Sequence, residues 1–330
     1  MIISRTPYRI SLFGGGSDYP SWNKISGKKG SVLGFAINKY SYISARSAPL
    51  FFKDKYRIAY SKIELTNKLN DIKHPAVKNI IKELKINQGI EIQHHGDLPA
   101  RTGVGSSSSF SVGLINCLYA LQDQKISKKK LAKTAIHIEQ NIIKENVGSQ
   151  DQVWSSYGGF NRIDFYKNNK FKVKNLSLNK KRIDKLLNNF ILVYTGITRY
   201  SNNVAKNIIN NLTKNIDNIS AMIDMVTEAE KILLSQKRNI DEIGELLNSY
   251  WTIKKKLSNT ITLNYIEEIY DKAIKSGAIG GKLLGAGSGG FLLLYVNDKN
   301  KSKVYQKLNK FIKLSIKVDY NGSVILDNSK

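Results

Sequence analysis

The chain has few of the residues that make covalent or metal staples. One cysteine, Cys117, and four histidines occur in 330 residues. A single cysteine excludes a disulfide within the chain and suits a reducing compartment. The histidines and the cysteine stand in no ligand-like spacing, which argues against a structural zinc site. No apolar run approaches the roughly 20 residues that a membrane helix needs. Met1-Ile2-Ile3-Ser4-Arg5-Thr6-Pro7 is too short and too polar for a signal peptide. A cytoplasmic protein without a membrane partner is therefore expected. Acidic residues are scarce as well: 26, against 52 Lys and Arg, for a formal net charge of +26. Such a balance raises RNA binding as a distant alternative. The lysines are scattered, often beside asparagine, with no basic tail and no arginine block, so no nucleic acid partner is expected. The same charge attracts nucleotides and sugar phosphates. Proline numbers five, and none falls between Ser201 and Gly277, a stretch expected to be nearly all helical.

Glycine, by contrast, is concentrated in three loops. The chain is organised around Leu98-Pro99-Ala100-Arg101-Thr102-Gly103-Val104-Gly105-Ser106-Ser107-Ser108-Ser109. A β-rich run, 89–94, leads in, and an apolar helical run, 110–121, leads out. Small residues let backbone approach a ligand closely. A helix start carries unpaired N–H groups and partial positive charge, so the junction is an anion site, most often for phosphate. The hydroxyls of Ser106 to Ser109 can cap the helix, and one can reach a phosphate-bound metal. The plainer alternative is a serine-rich surface loop capping a core helix. No Gly-Lys-Ser/Thr ends the run, so this is not a Walker-type P-loop.

The first glycine loop, Gly14-Gly15-Gly16-Ser17-Asp18-Tyr19, follows a β-rich segment (1–13) and delivers Asp18 into a cleft, or else merely caps the next element. The third, 280–290, precedes a strand at 291–296, a helix at 299–312 and a last strand near 315–318. Further strands are expected at 31–48 and 56–60, and helices at 75–84 and 127–144. A hairpin pair is read at 158–165 and 171–176. His94 and His95 read as structural. Glu139 lies beside Ile138 in an apolar helical pattern and reads as a half-exposed surface residue. Asp151 stands near a helix start, a common capping arrangement. A lysine-rich helix at 179–188 marks the boundary between domains 1–185 and 186–330. Phe190 to Thr195 is a buried strand whose following loop presents Arg199.

The order and spacing of the three loops resemble the GHMP kinases. The motif Arg5-Thr6-Pro7-Tyr8-Arg9-Ile10-Ser11-Leu12-Phe13-Gly14-Gly15-Gly16-Ser17-Asp18-Tyr19 is similar to that family's first motif, Pro99–Ser109 to its ATP loop, and Lys282–Gly290 to its third motif. The resemblance implies an α+β, two-domain fold with the active site in the cleft. The N-terminal domain would be of the ribosomal protein S5 domain 2 type and the C-terminal domain ferredoxin-like. It implies ATP held by Pro99, Gly103, Val104, Gly105, Ser106, Ser107, Ser108 and Ser109, and Mg²⁺ on Ser107 and Glu139, which reverses the pattern-only reading of Glu139. It implies Asp151 as the base, oriented by Arg9. The acceptor sugar would meet Gly15, Gly16, Ser17, Asp18, Arg199 and Gly287. Galactokinases carry Gly-Glu-His-Thr-Asp-Tyr where this chain has Gly14–Tyr19, so galactose is not expected. The Gly-Gly-Gly-Ser-Asp-Tyr form, Gly-Val-Gly-Ser-Ser-Ser-Ser, Gln150-Asp151-Gln152 and Thr195–Arg199 look like the D-glycero-D-manno-heptose 7-phosphate kinases, with fucokinase-type domains as the alternative. Those heptose enzymes phosphorylate O1 to the 1,7-bisphosphate for nucleotide-activated heptose and surface polysaccharide. The expected partner is thus a small phosphosugar, and the expected assembly a monomer or homodimer. Arg199 and Lys28 are candidates for its distal phosphate, and Trp22, Tyr40 and Tyr60 for the adenine pocket.

Overall fold

The computed structural model describes residues 1–198 and 201–327. Two sheets organise it. The first begins with a long hairpin, β1 (Ile2–Phe13) and β2 (Gly30–Ser47), joined through the first glycine loop and a short helix, α1 (Pro20–Ser26). Proline at the first position of α1 starts that helix with its φ already set. The register of β1 on β2 shifts between Pro7 and Arg9, next to a proline that cannot donate to the ladder. The segment thus runs as one kinked strand.

Strands β3 (Tyr56–Ala59) and β4 (Ile63–Thr66), helix α2 (Pro75–Glu83) and strand β5 (Ile90–Gly96) lead to the central helix α3 (Ser106–Leu121). Helix α4 (Lys128–His137), α5 (Gln150–Tyr157), β6 (Phe160–Tyr166) and β7 (Lys170–Asn175) complete the N-terminal part. The eight-stranded sheet runs β12-β1-β2-β5-β3-β4, with β6 and β7 branching from β2; β12 (Val324–Asp327) returns from the far end of the chain to pair with β1. That return replaces part of what the sequence suggested as a single last strand near 315–318.

The second sheet follows α6 (Lys180–Asn189). Its strands are β8 (Phe190–Tyr194), β9 (Gly280–Leu283), β10 (Phe291–Tyr295) and β11 (Lys313–Leu314), in the antiparallel order β11-β8-β10-β9. Between β8 and β9 come α7 (Ser201–Asn210), α8 (Ile216–Leu234), α9 (Glu242–Lys256) and α10 (Asn264–Lys275); α11 (Asp298–Lys307) links β10 to β11. This strand order is the βαββαβ arrangement of ferredoxin-like units. A continuous apolar core joins the two parts beneath the cleft. Leu12 and Phe13 of β1 share it with Tyr250 and Trp251 of α9 and with β10. The Phe13 and Tyr250 rings meet edge-on at 5.5 Å.

Helix α3 is buried on nearly every side, as its apolar composition requires. It starts at Ser106, earlier than the apolar run suggested. Gly105, with φ 78°, turns the chain directly into the helix, so the four serines form its first turn.

Candidate active site

The three glycine loops meet at one cleft. The second and third touch backbone to backbone. A Cβ on Gly103 (φ +79°) would fall 2.6 Å from Leu284 O, and one on Gly285 (φ +66°) 2.6 Å from Gly103 Cα. Glycine at both positions therefore serves loop-to-loop approach as much as ligand approach. The Phe291 N–H donates to Thr102 O at 3.1 Å, fastening the junction to β10.

Arg9 and Asp151 form the polar centre. Arg9 Nε donates to Asp151 Oδ1 at 2.7 Å and Nη2 to Oδ2 at 2.6 Å, while Nη1 donates to Gly103 O at 2.6 Å. This bidentate clamp fixes the plane of the carboxylate and ties it to the phosphate loop. Asp151 lies in the first turn of α5, yet both its oxygens serve Arg9. Its side chain keeps 22% of its surface open to the cleft. Asp18 is buried nearby. Its Oδ1 accepts from Gly16 N at 3.1 Å and its Oδ2 from Gln150 N at 3.2 Å. Burial, then the charge of Asp151, pushes Asp18 up to about 6.

The start of α3 faces the same cleft. Its first backbone bond runs from Ser109 N to Gly105 O, so the amides of Ser106, Ser107 and Ser108 have no acceptor inside the helix. Those amides and the helix dipole suit the phosphates of ATP. Behind them sits Glu139, 1% exposed, on a π-helical turn (138–142) that continues α4. Glu139 continues the buried face of α4, three and four residues after Ile136 and Ala135, which corrects the half-exposed pattern reading. Ser108 Oγ donates to Glu139 Oε2 at 2.9 Å, and Gln152 Nε2 donates to the same oxygen. Glu139 Oε1 has no hydrogen-bond partner. Burial raises Glu139 to about 7, with the charge of Glu145 adding to it, while Ser111, Gln152 and Ser108 favour the charged form.

Of the residues nominated from sequence, Arg9, Gly15, Gly16, Asp18 and Asp151 line the cleft. So do Gly103, Gly105, Ser106, Ser107, Ser108 and Gly287. Others hold the walls from behind. Ser17 Oγ bonds the carbonyls of Gly14 and Ser31. Val104 is fully buried and its carbonyl accepts from Arg9 N. Ser109 Oγ donates to Pro7 O. Pro99 is exposed, its carbonyl bonded by Thr102 Oγ1. Arg199 lies outside the described residues. Lys28 is exposed, bonded to Ser220, and off the cleft lining. Trp22 is a core residue, and Tyr40 and Tyr60 are likewise off the lining; Tyr40 bonds Asp319 and Tyr60 bonds Glu64.

The lining residues that the sequence reading did not nominate as site residues include Ser11, Tyr250, Lys254 and Lys282. Lys254 opens the run Lys254-Lys255-Lys256, which in sequence looks like a solvated helix end. In the fold it is buried, with Nζ donating to Leu283 O and Gly285 O at 2.9 and 2.7 Å. Lys282 was visible only as the first residue of the third motif. Its Nζ donates to the Ser11 and Leu12 carbonyls at 2.9 and 2.8 Å.

Among the described residues no group of three or more His, Cys, Asp and Glu could hold a metal, and no helix is long and apolar enough to cross a membrane. Comparison with known proteins matches residues 70–159 to the GHMP kinases N terminal domain and residues 229–314 to the GHMP kinases C terminal domain. The chain is 27% identical, over 94% of its length and 93% of the relative's, to the D-glycero-alpha-D-manno-heptose 7-phosphate kinase of Campylobacter jejuni subsp. jejuni serotype O:2. It is 23% identical to the bifunctional fucokinase/GDP-fucose pyrophosphorylase of Arabidopsis thaliana, covering 97% of this chain but 32% of that one. A crystal structure of a D-glycero-D-manno-heptose 1-phosphate kinase from Bacteriodes thetaiotaomicron superposes with a TM-score of 0.80 at 22% identity, covering 99% of both chains, and shares the fold. Three glycine loops around one cleft, an amide-rich helix start and both matched domains lead to one assignment: the chain belongs to the GHMP kinase family, has its two-domain fold, and is an ATP-dependent kinase.

Proposed function

We propose that the protein transfers the γ-phosphoryl group of ATP to O1 of D-glycero-D-manno-heptose 7-phosphate, giving the 1,7-bisphosphate for nucleotide-activated heptose and surface polysaccharide. The observation that carries the reading is the Arg9–Asp151 clamp at the cleft wall beside the phosphate loop and Asp18. The heptose kinase relative, matched along nearly its full length, supports the choice of sugar. The reaction would run in the cytoplasm.

Phosphoryl transfer passes through a loose transition state, so positioning and charge neutralisation supply most of the catalysis. The amides of Ser106 to Ser108 bind phosphate oxygens. Asp151 accepts the O1 proton as the new O–P bond forms, and Arg9 aims its carboxylate. Asp18, presented by the first glycine loop, accepts a hydrogen bond from a sugar hydroxyl. Glu139, with its unpaired Oε1, and the exposed Ser107 hydroxyl supply the hard oxygens that Mg²⁺ prefers. When bound, that ion neutralises charge on the phosphates.

The test is a kinetic panel with ATP and Mg²⁺: heptose 7-phosphate, the unphosphorylated heptose, fucose and galactose. The reading predicts the highest kcat/KM for heptose 7-phosphate. Equal or better turnover of fucose would transfer the assignment to the fucokinase-like alternative.

A further inference from the structure

We infer that the buried ammonium groups of Lys254 and Lys282, with Ser11 and Gln150, form the subsite that takes a phosphate monoester carried by the acceptor, beyond the Gly15–Gly16 turn. The inference rests on the reading of the acceptor as a sugar phosphate and assigns that phosphate a place that Lys28, off the cleft lining, does not supply.

The first argument is charge. Lys254 is 6% exposed and Lys282 2%, and both line the cleft. Each Nζ donates to two carbonyl oxygens, which leaves each ammonium one N–H. Neither has a carboxylate within ion-pair distance among the described residues. Arg9 adds a third cation, and it is already paired with Asp151. A buried charge without a counterion is costly. Burial, and then the charge of Arg9, lowers Lys254 to about 7; burial, then Lys254 and Arg9, lowers Lys282 well below the ordinary lysine value. A bound dianion supplies the missing charge and restores both ammonium groups.

The second argument is unfilled hydrogen bonding. Ser11 Oγ is a buried hydroxyl without a partner and can donate to a phosphate oxygen, and so can the Gln150 amide through Nε2; both residues line this cleft. Ser11 is 7% exposed. A Cβ on Gly15 would lie 3.9 Å from both Ser11 Oγ and Gln150 Nε2, so these groups gather around the first glycine loop.

The third argument is room. A Cβ on Gly16 would meet nothing within 4 Å, and one on Gly15 would meet Tyr250 Oη at 3.4 Å and nothing else nearer than 3.9 Å, all in ordinary contact. Tyr250 ties the subsite together: its hydroxyl accepts from Gly15 N at 3.0 Å, and its ring lies 4.3 Å from Lys282 Nζ. Lys282 itself grips the carbonyls just before the turn. Lys282 therefore sits by the acceptor loop and Lys254 against the third loop at Leu283 and Gly285, whereas the nucleotide phosphates have the amides of α3. Since the shared chemistry is a phosphate group, the nucleotide is the rival source.

The experiment compares heptose 7-phosphate with the unphosphorylated heptose at saturating ATP, in wild type, Lys254→Met, Lys282→Met and Gly15→Glu. Loss of one charge-assisted bond should lower the kcat/KM ratio of phosphorylated to unphosphorylated sugar about 10- to 100-fold in each lysine variant. A Cβ at Gly15 makes only ordinary contacts and the residue has no left-handed φ, so Gly15→Glu tests the subsite without removing a lysine bond. Its carboxylate should repel the phosphate and lower the same ratio at least about tenfold. Equal losses on both sugars would make the lysines struts for β1 and the third loop, and would overturn the inference. A rise in KM for ATP with either acceptor would assign them to the nucleotide and overturn it as well. A wild-type enzyme active only on neutral sugars would overturn the proposed substrate, and the subsite with it. A wild type that prefers the phosphosugar while every variant keeps the ratio would overturn the subsite alone.

Discussion

Asp151 and Glu139 are two carboxylates on either side of the same phosphate loop, and the fold treats them in opposite ways. Asp151 sits at the cleft surface with both oxygens held by one guanidinium. Glu139 is buried, receives a hydroxyl and an amide on a single oxygen, and has no cation among the described residues. A carboxylate clamped by arginine is aimed and already compensated, which suits a proton acceptor. A buried carboxylate with one oxygen empty is compensated only when a cation arrives. The comparison teaches that residue type alone does not assign the role; the partners do.

The largest effect should come from the first carboxylate. Asp151→Asn keeps size and hydrogen-bond reach but cannot take the sugar proton. kcat should fall about 10²- to 10⁴-fold, with ATP and sugar binding retained by calorimetry. The acidity of an anomeric hydroxyl places the loss towards the low end. A variant keeping more than about a tenth of wild-type kcat would mean that positioning alone carries the reaction.

Glu139→Gln should act through metal demand instead. The Mg²⁺ concentration for half-maximal rate should rise at least about 10- to 100-fold, the loss typical of even a supporting contact at a metal site. If sugar affinity collapses while Mg²⁺ demand is unchanged, the contrast between the two carboxylates fails.

The neighbouring serines sharpen the contrast. Ser107 is exposed on the cleft, so Ser107→Ala should raise Mg²⁺ demand with little change in melting temperature. Ser108 is buried against Glu139, so Ser108→Ala should cost about 1–3 kcal/mol of stability. Kinetic and melting measurements on the pair distinguish the two roles.

The smallest effect is in pH. Glu139 rises from its ordinary 4.5 to about 7 on burial, so the folded state binds its proton more tightly than the unfolded state. That stability is fully present below about 4.5 and is lost as pH rises through about 7, up to about 3 kcal/mol in all. Asp18, raised to about 6, acts in the same direction. The ligand-free protein should melt higher at pH 5 than at pH 7.5, and Glu139→Gln should flatten that dependence. An unchanged slope in the variant would place Glu139 in contact with solvent.

Much of this was legible in the sequence because glycine loops between a strand and a helix are local features. Gly14–Gly16, Gly103–Gly105 and 285–290 could be placed at strand ends, and Asp151 at a helix start, from neighbours in the chain alone. The helical period puts Glu139 on the buried face of α4 with Ala132, Ala135 and Ile136, but a carboxylate reads as surface until its distant partners, Ser108 and Gln152, are in place. The resemblance placed Glu139 in the site, but not its bond to Ser108. Lys254 and Lys282 were missed for a different reason. Lysine reads as surface, and their carbonyl partners lie far away in sequence: Ser11 and Leu12 for Lys282, Leu283 and Gly285 for Lys254. The return of β12 to β1 is likewise a contact between the two ends of the chain.

The most direct measurement is the NMR spectrum of the product formed from ATP, Mg²⁺ and heptose 7-phosphate. The account predicts a second phosphorus signal coupled to the anomeric proton, in a bisphosphate formed in equal amount to ADP. A new phosphate coupled to any other sugar proton, or ADP formed with inorganic phosphate alone, would contradict it.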